Sequence, residues 1–453
     1  MMDIQFLGAT QTVTGSKYLI QTDHVRVLID CGLFQGYKEL RLRNWAPLPI
    51  DPSTIDYVLL SHAHLDHSGY IPLLVKHGFS GKIICTEATR DLCKILLPDS
   101  GYLQEEEARY INVKGCSKHN PAEPLYTRLE AEISLNYFET VAFHQLFKIH
   151  EGFYSSFHYA GHILGASMIR LEHEGVSVLF SGDLGRYGDP VMKPPQDPPE
   201  SNYLVVESTY GDRLHDNTDP KIKLRDIINR TAKRGGVVLI PAFAVGRTQI
   251  LLYYIQQLKS KKEIFDIPVF VDSPMATNAT DIFGHHGGEN RLTQQECADV
   301  CGVATYIRSV EESIALQDQK MPMIIISASG MATGGRVVHH IKNYAMDYKN
   351  TILFTGFQAG GTRGDRMVRG EKELKIYGQM VSVQAEVAQL EGLSAHADYE
   401  EILSWLGHLK TPPRTTFITH GEKESSNALK EKIEKKWNWS CRVPEYLDEY
   451  ELT

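Results

Sequence analysis

The sequence of 453 residues has few cysteines and no spacing that would pair them. The seven cysteines include no Cys-x-x-Cys pair and are Cys31, Cys85, Cys93, Cys116, Cys297, Cys301 and Cys441. Such an odd, scattered set argues against a disulfide framework and favours a reducing compartment. Cys297 and Cys301 lie four residues apart. Without a second close pair, they indicate buried helix thiols rather than a structural zinc site.

Long hydrophobic runs and an excess of positive charge are also missing. No apolar run approaches the ~20 residues that span a bilayer, and the N-terminus lacks the basic and apolar order of a signal peptide. The sequence therefore predicts a cytoplasmic protein that does not enter a membrane. Its formal net charge of -9 excludes a protein that binds nucleic acid through a surface that is basic overall. A local basic groove is still compatible with this charge.

The composition is sufficient for two globular domains, since one domain usually holds ~100–200 residues. Hydrophobic residues make up 42% and charged residues 23% of the chain, which is ordinary for a soluble protein. The first half is rich in short apolar or alternating runs that predict strands. These predicted strands are Ile4–Leu7, Tyr18–Gln21, Val25–Ile29, Tyr57–Leu60, Lys82–Cys85, Ser167–Leu171, Val176–Phe180 and Tyr203–Val206.

A second pattern begins after Tyr210. Helix-prone segments at Ile222–Lys233 and Thr248–Leu258 alternate with apolar runs, and this alternation predicts a parallel sheet. The predicted strands of this part are Val237–Ile240, Val269–Asp272, Met323–Ser327 and Thr351–Thr355.

Two further stretches define the expected organisation. Between about residues 99 and 136 the sequence becomes polar and predicts a helical segment on the protein surface. An alternating pattern of apolar and polar residues, which predicts a strand, returns at Val381–Val387. The simplest organisation is one domain, residues 1–208 and 379–453, interrupted by an inserted domain, residues 209–378.

Histidine is abundant, at 19 residues, and is concentrated in the run His62-Ala63-His64-Leu65-Asp66-His67, directly after a predicted strand. Zinc prefers imidazole and carboxylate ligands, and a catalytic zinc site leaves a position open for water. His62 and His64 can share one metal, because residues two apart in extended chain point the same way. Asp66 and His67, past the turn, can face a neighbouring metal. The alternative interpretation is a solvated polar loop.

One loop cannot fill two coordination shells, so the run predicts further ligands downstream. His162 lies in a turn between glycines, and Asp183 follows a predicted strand. An aspartate with two oxygens can bridge two metals about 3.5–4 Å apart. Alone, each residue would be more typical of a turn. Together with the first cluster they become candidate ligands.

The ordered motifs resemble the metallo-β-lactamase superfamily and, further along the chain, its β-CASP branch of nucleic-acid-processing enzymes. The superfamily motifs are Asp30, the run His62–His67, His162 and Asp183. The β-CASP motifs are Glu207, Ser394–Asp398 and Thr419–Glu422. Other similar segments are Gly8–Ser16, Pro124–Thr127, Ser329–Met331 and Gly356–Gln358. The resemblance covers essentially the whole chain.

The resemblance implies an α/β fold, in which a metallo-β-lactamase αββα sandwich is interrupted by an inserted α/β β-CASP domain with a mainly parallel sheet. It also implies two zinc ions per chain. The ligands of one zinc are implied to be His62, His64 and His162, and those of the other Asp66, His67 and His420, with Asp183 bridging both.

Further roles follow from the resemblance. Asp30 resembles the carboxylate that orients ligating imidazoles, which need an acceptor for their second N–H; a strand-end turn residue is the alternative. His396 and Glu207 resemble the pair proposed to protonate the leaving oxygen, and an imidazole suits that task because its pKa lies near neutral. Asp66 is placed with these two among the catalytic residues. Ser394 could hydrogen-bond a phosphate.

The implied reaction is hydrolysis of RNA phosphodiester bonds, in which two zinc ions provide hydroxide that attacks phosphorus in line. Endonuclease and 5′-exonuclease action both stay open. Other superfamily members open lactams, thioesters or sulfate esters, but an insert of roughly 170 residues favours a polymer. A histidine at the position of His420 resembles the RNA-acting members. Single-stranded RNA is therefore the expected substrate, and the alternatives are a DNA-acting nuclease and a non-catalytic RNA-binding scaffold subunit.

Substrate contacts are predicted in a glycine-rich stretch of the insert. Arg363 and Arg366, near Arg369, could hold phosphates, with a solvated basic loop as the alternative. Lys259–Lys262 is better interpreted as a solvated helix end. The sequence ends about 30 residues after His420, so that no appended RNA-binding module is expected. The family resemblance also suggests a homodimer.

Overall fold

The computed structural model describes residues 2–114, 121–216, 218–356, 358 and 361–453. Cys116, Phe357 and Gly360 lie outside these described residues. The described chain forms two compact units, one of residues up to Leu214 with His396–Thr453 and one of His215–Ala395. None of the helices in the described ranges combines the length and the apolar character that crossing a bilayer requires.

The secondary structure of the described residues follows the chain from strand β1 to strand β22. The strands are β1 (Met2–Phe6), β2 (Tyr18–Thr22), β3 (Arg26–Ile29), β4 (Tyr57–Leu59), β5 (Lys82–Cys85), β6 (Phe138–Thr140), β7 (Phe147–His150), β8 (Phe153–Tyr159), β9 (Ser167–His173), β10 (Val176–Phe180), β11 (Tyr203–Glu207), β12 (Val237–Pro241), β13 (Val269–Val271), β14 (Thr305–Tyr306), β15 (Met323–Ser327), β16 (Thr351–Thr355), β17 (Glu373–Ile376), β18 (Gln379–Ser382), β19 (Glu386–Leu390), β20 (Thr415–Thr419), β21 (Cys441–Arg442) and β22 (Glu449–Leu452). The α-helices are α1 (Lys38–Arg43), α2 (Leu65–Ser68), α3 (Ile71–Lys76), α4 (Glu87–Lys114), α5 (Arg128–Ser134), α6 (Pro220–Lys233), α7 (Arg247–Ser260), α8 (Pro274–His285), α9 (Gln294–Gly302), α10 (Val310–Gln317), α11 (Arg336–Tyr344), α12 (Arg363–Val368), α13 (Tyr399–Leu406) and α14 (Lys423–Trp437). Short 3₁₀ turns cover Pro52–Thr54, Leu135–Tyr137 and Gly287–Glu289.

Two mixed sheets of seven strands each build the first unit, as far as the chain is described. Their strand orders are β22-β1-β2-β3-β4-β5-β6 and β21-β20-β11-β10-β9-β8-β7. Strands β3 to β6 are parallel neighbours, and so are β10, β11, β20 and β21, while the other pairs are antiparallel. Each sheet thus has a parallel half whose strands end at one edge.

Apolar side chains from both sheets form one core. Phe6 of β1 packs against Phe417 of β20 with ring centroids 5.2 Å apart, and both rings are buried. Burying such a side chain contributes about 1.5–3 kcal/mol. Helix α4 packs on β6 of the first sheet, and α14 packs on β20 and β21 of the second. This is the αββα arrangement, and the predicted fold class is confirmed.

The second unit is built on one sheet of six parallel strands, counted over its described residues, in the order β14-β13-β15-β12-β16-β19. Every residue of β12, β15 and β16 is buried, as expected where helices cover a parallel sheet. Helices α6 and α11 pack against β12. The antiparallel hairpin β17–β18 lies outside this sheet.

The predicted alternating run Val381–Val387 is divided between two strands with different partners. Strand β18 pairs with β17, and β19 pairs in parallel with β16 of the second unit's sheet. The compact units divide the chain at residues 214 and 395, whereas the sequence predicts boundaries at 208 and 378. Alternation indicates a strand but does not specify its partner. The predicted domain division remains a prediction.

Candidate metal centre

The predicted metal ligands of the first unit lie on loops that follow its strands. The run His62–His67 comes after β4, Asp183 after β10 and His420 after β20, while His162 lies between β8 and β9. Strands β10, β11 and β20 are parallel, so the loops after them leave the same edge of the sheet. A rigid sheet that carries loops of this kind is a common support for a reactive site.

The local sequence turns the chain sharply after β4. Helix α2 starts at Leu65 and has only four residues, so that Asp66 and His67 lie in its first turn. Ser68 Oγ donates to the carbonyl oxygens of Ala63 (2.9 Å) and His64 (3.1 Å). These bonds fix the change from extended to helical backbone, which separates the first two ligand-type residues from the last two.

The first donor group consists of three imidazoles and one carboxylate oxygen. His64 Nδ1 lies 3.1 Å from His62 Nε2 and 3.2 Å from His162 Nε2. Asp183 Oδ2 lies 3.4 Å from His62 Nε2 and 3.5 Å from His162 Nε2. All four donor atoms thus converge on one point.

The second donor group has two imidazoles and a carboxylate, and Asp183 also reaches it. His67 Nε2 lies 3.1 Å from His420 Nε2, which is 3.5 Å from Asp66 Oδ2. Asp183 Oδ1 lies 3.3 Å from His67 Nε2. The two oxygens of Asp183 therefore face different donor groups.

These donor atoms fit divalent metal ions. In tetrahedral zinc with Zn–N bonds of 2.0–2.1 Å, two ligand atoms lie about 3.3 Å apart, close to the spacings in both groups. Asp183 is 2% exposed, and its Oδ1 forms no hydrogen bond with any described residue. A buried carboxylate oxygen that accepts no hydrogen bond is costly, and a cation between the donors would satisfy it.

Burial and neighbouring charge separate the histidines into two electrostatic classes. Burial lowers the pKa of His62 well below its usual value, helped by His67, and burial also lowers the pKa of His64. Both are therefore neutral, the form that binds metal. Burial alone would lower the pKa of His67 too, but the carboxylates of Asp183 and Asp30 outweigh it and raise the pKa well above the usual value.

The carboxylates of the two groups are held in the charged form. Burial alone would raise the pKa of Asp66, but a hydrogen bond from His420 and the charge of His67 lower it to about 2. Burial acts likewise on Asp183, whose pKa His420 first and then the charged His67 hold well below its usual range. Charged carboxylates are the form that ligates metal.

Asp30 contacts the second donor group through one histidine. Its Oδ2 lies 2.7 Å from His67 Nδ1, while Oδ1 accepts from the backbone N–H of Ser61 at 2.7 Å. Asp30 has a φ of 57° and His420 one of 48°, unusual for residues with a side chain. Such backbone costs about 1–3 kcal/mol per residue and is typical of functional sites.

Glu207 and His396 form a pair beside the first donor group. Glu207 is 1% exposed, and each of its carboxylate oxygens lies 3.2 Å from His396 Nδ1. The ring centroid of His396 is 4.4 Å from that of His162. Burial alone would lower the pKa of His396, but Glu207 and Asp183 raise it to about 9.

Two hydroxyls of the centre were not among the predicted site residues. Ser61 Oγ donates to Asp30 Oδ2 at 2.8 Å. Thr209 Oγ1 donates to Glu207 Oε2 at 2.6 Å and lies 3.2 Å from His420 Nδ1. Ser61 directly precedes His62 and Thr209 lies two positions after Glu207, but a hydroxyl near a motif is too common to indicate a role by itself.

Three predicted substrate contacts belong to the second unit. Arg363 Nη1 donates to the carbonyl oxygens of Ala332 (3.1 Å) and Thr333 (2.9 Å). Arg366 forms an ion pair with Glu371, with Nη2 2.6 Å from Oε2. Ser394 is half-buried. Both guanidinium groups thus have partners within the unit, and phosphate binding by these three residues remains a prediction.

Comparison with known proteins places the chain among metallo-hydrolases. Sequence models of three families match it in order along the chain. They are the metallo-β-lactamase superfamily over residues 12–216, the β-CASP domain over 248–367 and the Zn-dependent metallo-hydrolase RNA specificity domain over 380–444. The donor groups belong to the regions matched by the first and third of these models.

Curated relatives match nearly the full chain. Ribonuclease TTHA0252 of Thermus thermophilus is 33% identical over 437 residues, covering 94% of this chain and 95% of the relative. The RNase J-like protein of Methanocaldococcus jannaschii is 30% identical, with 94% of each chain covered. The transcription termination factor FttA of a Lokiarchaeum is 31% identical and covers 98% of this chain and 70% of the relative.

Among solved structures, a protein of unknown function from Enterococcus faecalis V583 covers 99% of both chains, with a TM-score of 0.58 and 14% identity. At that identity the likeness concerns the fold alone. The three family matches and the full-length relative at 33% identity are stronger. This chain belongs to the β-CASP family of the metallo-β-lactamase superfamily.

Proposed function

We propose that this chain is a zinc-dependent ribonuclease that hydrolyses phosphodiester bonds of single-stranded RNA. The observation that carries the proposal is the pair of buried donor groups joined by Asp183, with its two oxygens directed to different groups. The names of two full-length relatives, ribonuclease TTHA0252 and RNase J-like protein, support RNA as the substrate.

Two zinc ions per chain are the proposed cofactors, and Asp183 is the proposed bridge. The residues that would hold one ion are His62, His64 and His162, and those that would hold the other are Asp66, His67 and His420. When bound, zinc supplies Lewis acidity, which lowers the pKa of water and neutralises charge on a phosphate.

His396 is the proposed general acid for the leaving sugar oxygen. Its Nδ1 faces the Glu207 carboxylate at 3.2 Å, and Nε2 is the nitrogen proposed to meet substrate. The side chain is 21% exposed, so a substrate can reach it. Because Glu207 and Asp183 raise its pKa to about 9, His396 carries a proton at neutral pH and can donate it.

The remaining residues orient these groups or hold substrate. Asp30 accepts from Ser61 and lies against His67 Nδ1, and it thereby fixes the direction of the opposite ring nitrogen. Ser394, Arg363 and Arg366 are proposed to contact phosphates of the RNA strand. The guanidinium groups would have to exchange their present partners for phosphate oxygens.

The test is incubation with 5′-labelled single-stranded RNA and with DNA of the same sequence, with and without chelator. We expect zinc-dependent cleavage of RNA and at least tenfold slower cleavage of DNA. Product lengths distinguish internal cleavage from removal of nucleotides at the 5′ end. Equal rates on DNA would favour the DNA-acting alternative, and bound but intact RNA with two zinc ions per chain would favour a scaffold subunit.

A cytoplasmic location and a homodimer are further predictions. Light scattering of the zinc-loaded protein determines the oligomeric state, and a mass near 51.1 kDa would exclude the dimer.

A further inference from the structure

Helix α1 and its flanks carry large side chains that the fold does not bury. Tyr37 is 73%, Trp45 58% and Leu42 54% exposed, and α1 has no buried residue. Such a concentration of exposed apolar surface in one short segment is typical of a binding site. We call Tyr37, Lys38, Arg41, Leu42 and Trp45 the α1 surface.

The charge of this segment is opposite to that of the chain. Residues 35–45 contain Lys38, Arg41 and Arg43 and one acidic residue, Glu39, which gives +2, whereas the whole chain carries -9. Lys38 and Arg41 are exposed, and neither forms an ion pair within the described parts of the chain. Both cations are therefore available to an anionic ligand.

The segment is fixed at its base. The side-chain amide of Asn44 accepts from the Phe34 N–H at 2.9 Å and donates to the Phe34 carbonyl at 2.8 Å. The Arg43 guanidinium lies 4.2 Å from the ring centroid of Tyr446. A surface anchored in this way loses little conformational entropy when it binds a ligand.

Hydrogen bonds connect this base to the loop of the second donor group. The N–H of Leu33 donates to the carbonyl of Leu65 at 2.8 Å, and that of Cys31 to the carbonyl of His67 at 2.6 Å. The α1 surface thus begins four residues after Leu33, whose backbone N–H is bonded directly to the ligand loop.

We propose that the α1 surface binds single-stranded RNA next to the metal centre, an inference that rests on the proposed ribonuclease function. Tyr37 and Trp45 provide faces for base stacking, and Lys38 and Arg41 bind phosphates. Aromatic platforms interleaved with cations are the usual means of holding single strands without sequence preference. A protein partner fits less well, because the centres of protein interfaces are depleted of charge, whereas charged residues here lie between the aromatic ones.

The test measures binding of a fluorescent 20-nucleotide RNA by anisotropy in chelator, which prevents cleavage. We expect Tyr37→Ala and Trp45→Ala each to weaken binding at least fivefold, the effect of losing one stacked base. Tyr348→Ala, which removes an aromatic side chain that is 66% exposed in the second unit, is the matched control and should change binding less than twofold.

The phosphate contacts are tested by salt dependence. Each phosphate contact to a single strand contributes about 0.7 to the slope of log affinity against log salt. The double variant Lys38→Ala/Arg41→Ala should therefore flatten the slope by about 1.4. Lys261→Ala/Lys262→Ala removes two exposed lysines from the predicted solvated helix end and should leave the slope unchanged.

The outcomes separate this proposal from the proposed function. Binding and slope equal to wild type in the α1 variants, with RNA still cleaved by the wild type, would overturn the α1 proposal alone. Aromatic-dependent RNA binding by a protein that cleaves no RNA would support the α1 surface and contradict the ribonuclease. A changed oligomeric state in the α1 variants, with unchanged RNA binding, would identify the surface as a protein interface and overturn the proposal.

Discussion

At the scale of single residues, the hydroxyl of Thr209 joins two groups that have separate proposed tasks. It donates to Glu207 at 2.6 Å, and its oxygen lies 3.2 Å from His420 Nδ1. Glu207 faces His396, and His420 faces His67 through Nε2. One hydroxyl thus positions both the partner of the proposed acid and a proposed metal ligand.

Thr209→Val keeps the shape of the side chain and removes that hydroxyl. We expect a 10- to 100-fold loss of zinc affinity or activity, the usual effect of losing a hydrogen bond that orients a ligand. Zinc per chain, measured at a series of buffered zinc concentrations, checks the first effect, and RNA cleavage checks the second. Thr209→Ser restores the hydroxyl and should recover most of both; equal losses in Val and Ser variants would contradict the role.

His396→Ala and His420→Ala should have different effects. His396 is proposed to donate a proton, so its loss should slow RNA cleavage about 10²- to 10⁴-fold while two zinc ions stay bound. His420 is proposed to ligate, so its loss should lower the occupancy of one ion. Metal analysis beside cleavage rates separates the two. Full activity of His396→Ala would contradict the proton-donating role of His396. Two bound zinc ions in His420→Ala would contradict the ligand role of His420.

Lys17 is a buried cation behind the ligand loops. It is 1% exposed, its Nζ donates to the carbonyl of Gly32, and Nζ lies 4.7 Å from the ring centroids of Phe34 and Tyr70. Burial lowers the pKa of Lys17 to about 8, against a smaller opposing effect of Cys31. Between about pH 8 and about pH 10.4, Lys17 has therefore lost its proton in the folded protein but still holds it in the unfolded chain.

Stability should therefore depend on pH through Lys17. Between about pH 8 and 10 the unfolded state binds more protons, so the free energy of unfolding of wild type should rise relative to Lys17→Met, by at most ~1.4 kcal/mol per pH unit. Urea unfolding of both proteins at pH 7.5, 8.5 and 9.5 measures the difference. Parallel pH curves would show that folding does not change the pKa of Lys17.

At the scale of elements, the loop after β3 and the loop after β4 touch without room for a side chain. A Cβ on Gly32 would lie 1.6 Å from the Asp66 carbonyl oxygen and 2.6 Å from the His67 nitrogen. Glycine at this position therefore allows the ligand loop its present path.

Gly32→Ala should displace the ligand loop, reduce zinc occupancy and lower the free energy of unfolding by about 1–3 kcal/mol, the usual cost of overpacking. Gly188→Ala is the control, because no described atom lies within 4 Å of its added Cβ and an exposed site of this kind changes stability by about 0.5 kcal/mol or less. Denaturant unfolding and metal analysis check both variants. An unchanged Gly32→Ala protein would mean that the two loops can separate freely.

Elements with clear turn boundaries were predictable from sequence. The limits of β5, β10, β15 and β16 are those of the predicted strands. Helix α4 was predicted only in its polar second half, because its first half is buried through Leu92, Cys93 and Leu97, and Pro98 inside it reads as a break. Hydrophobic periodicity and helix-breaking residues therefore did not predict the first half of α4, where burial in the tertiary structure determines the helix.

At the scale of the whole molecule, proton and metal compete for the same centre. Without metal, Asp183 and Asp30 raise the pKa of His67 well above its usual value, so that a bound ion must displace this proton. Zinc affinity should consequently rise with pH across neutrality. Competition with a chromophoric chelator at pH 6, 7 and 8 measures it, and an affinity independent of pH would contradict a protonated His67.

The candidate site was predictable where residues stand in ordered motifs and unpredictable where space alone joins them. The sequence indicates that His62, His64 and Asp183 belong to one metal site, because histidines and aspartates follow successive predicted strands. It does not indicate that Thr209 lies between Glu207 and His420, since any threonine beside a strand end has the same sequence signature. Hydrogen bonds of this kind depend on β11 and β20 lying side by side in one sheet, a pairing that the sequence does not indicate.

The second donor group joins His67 to a histidine 353 positions later in the chain, and the second unit is encoded between them. The ribosome adds about 5–20 residues per second, so roughly 20 to 70 s separate the synthesis of these two histidines. Throughout that interval the growing chain carries an incomplete centre. Order of synthesis alone thus delays assembly of the candidate metal centre until the segment that carries His420 has been made.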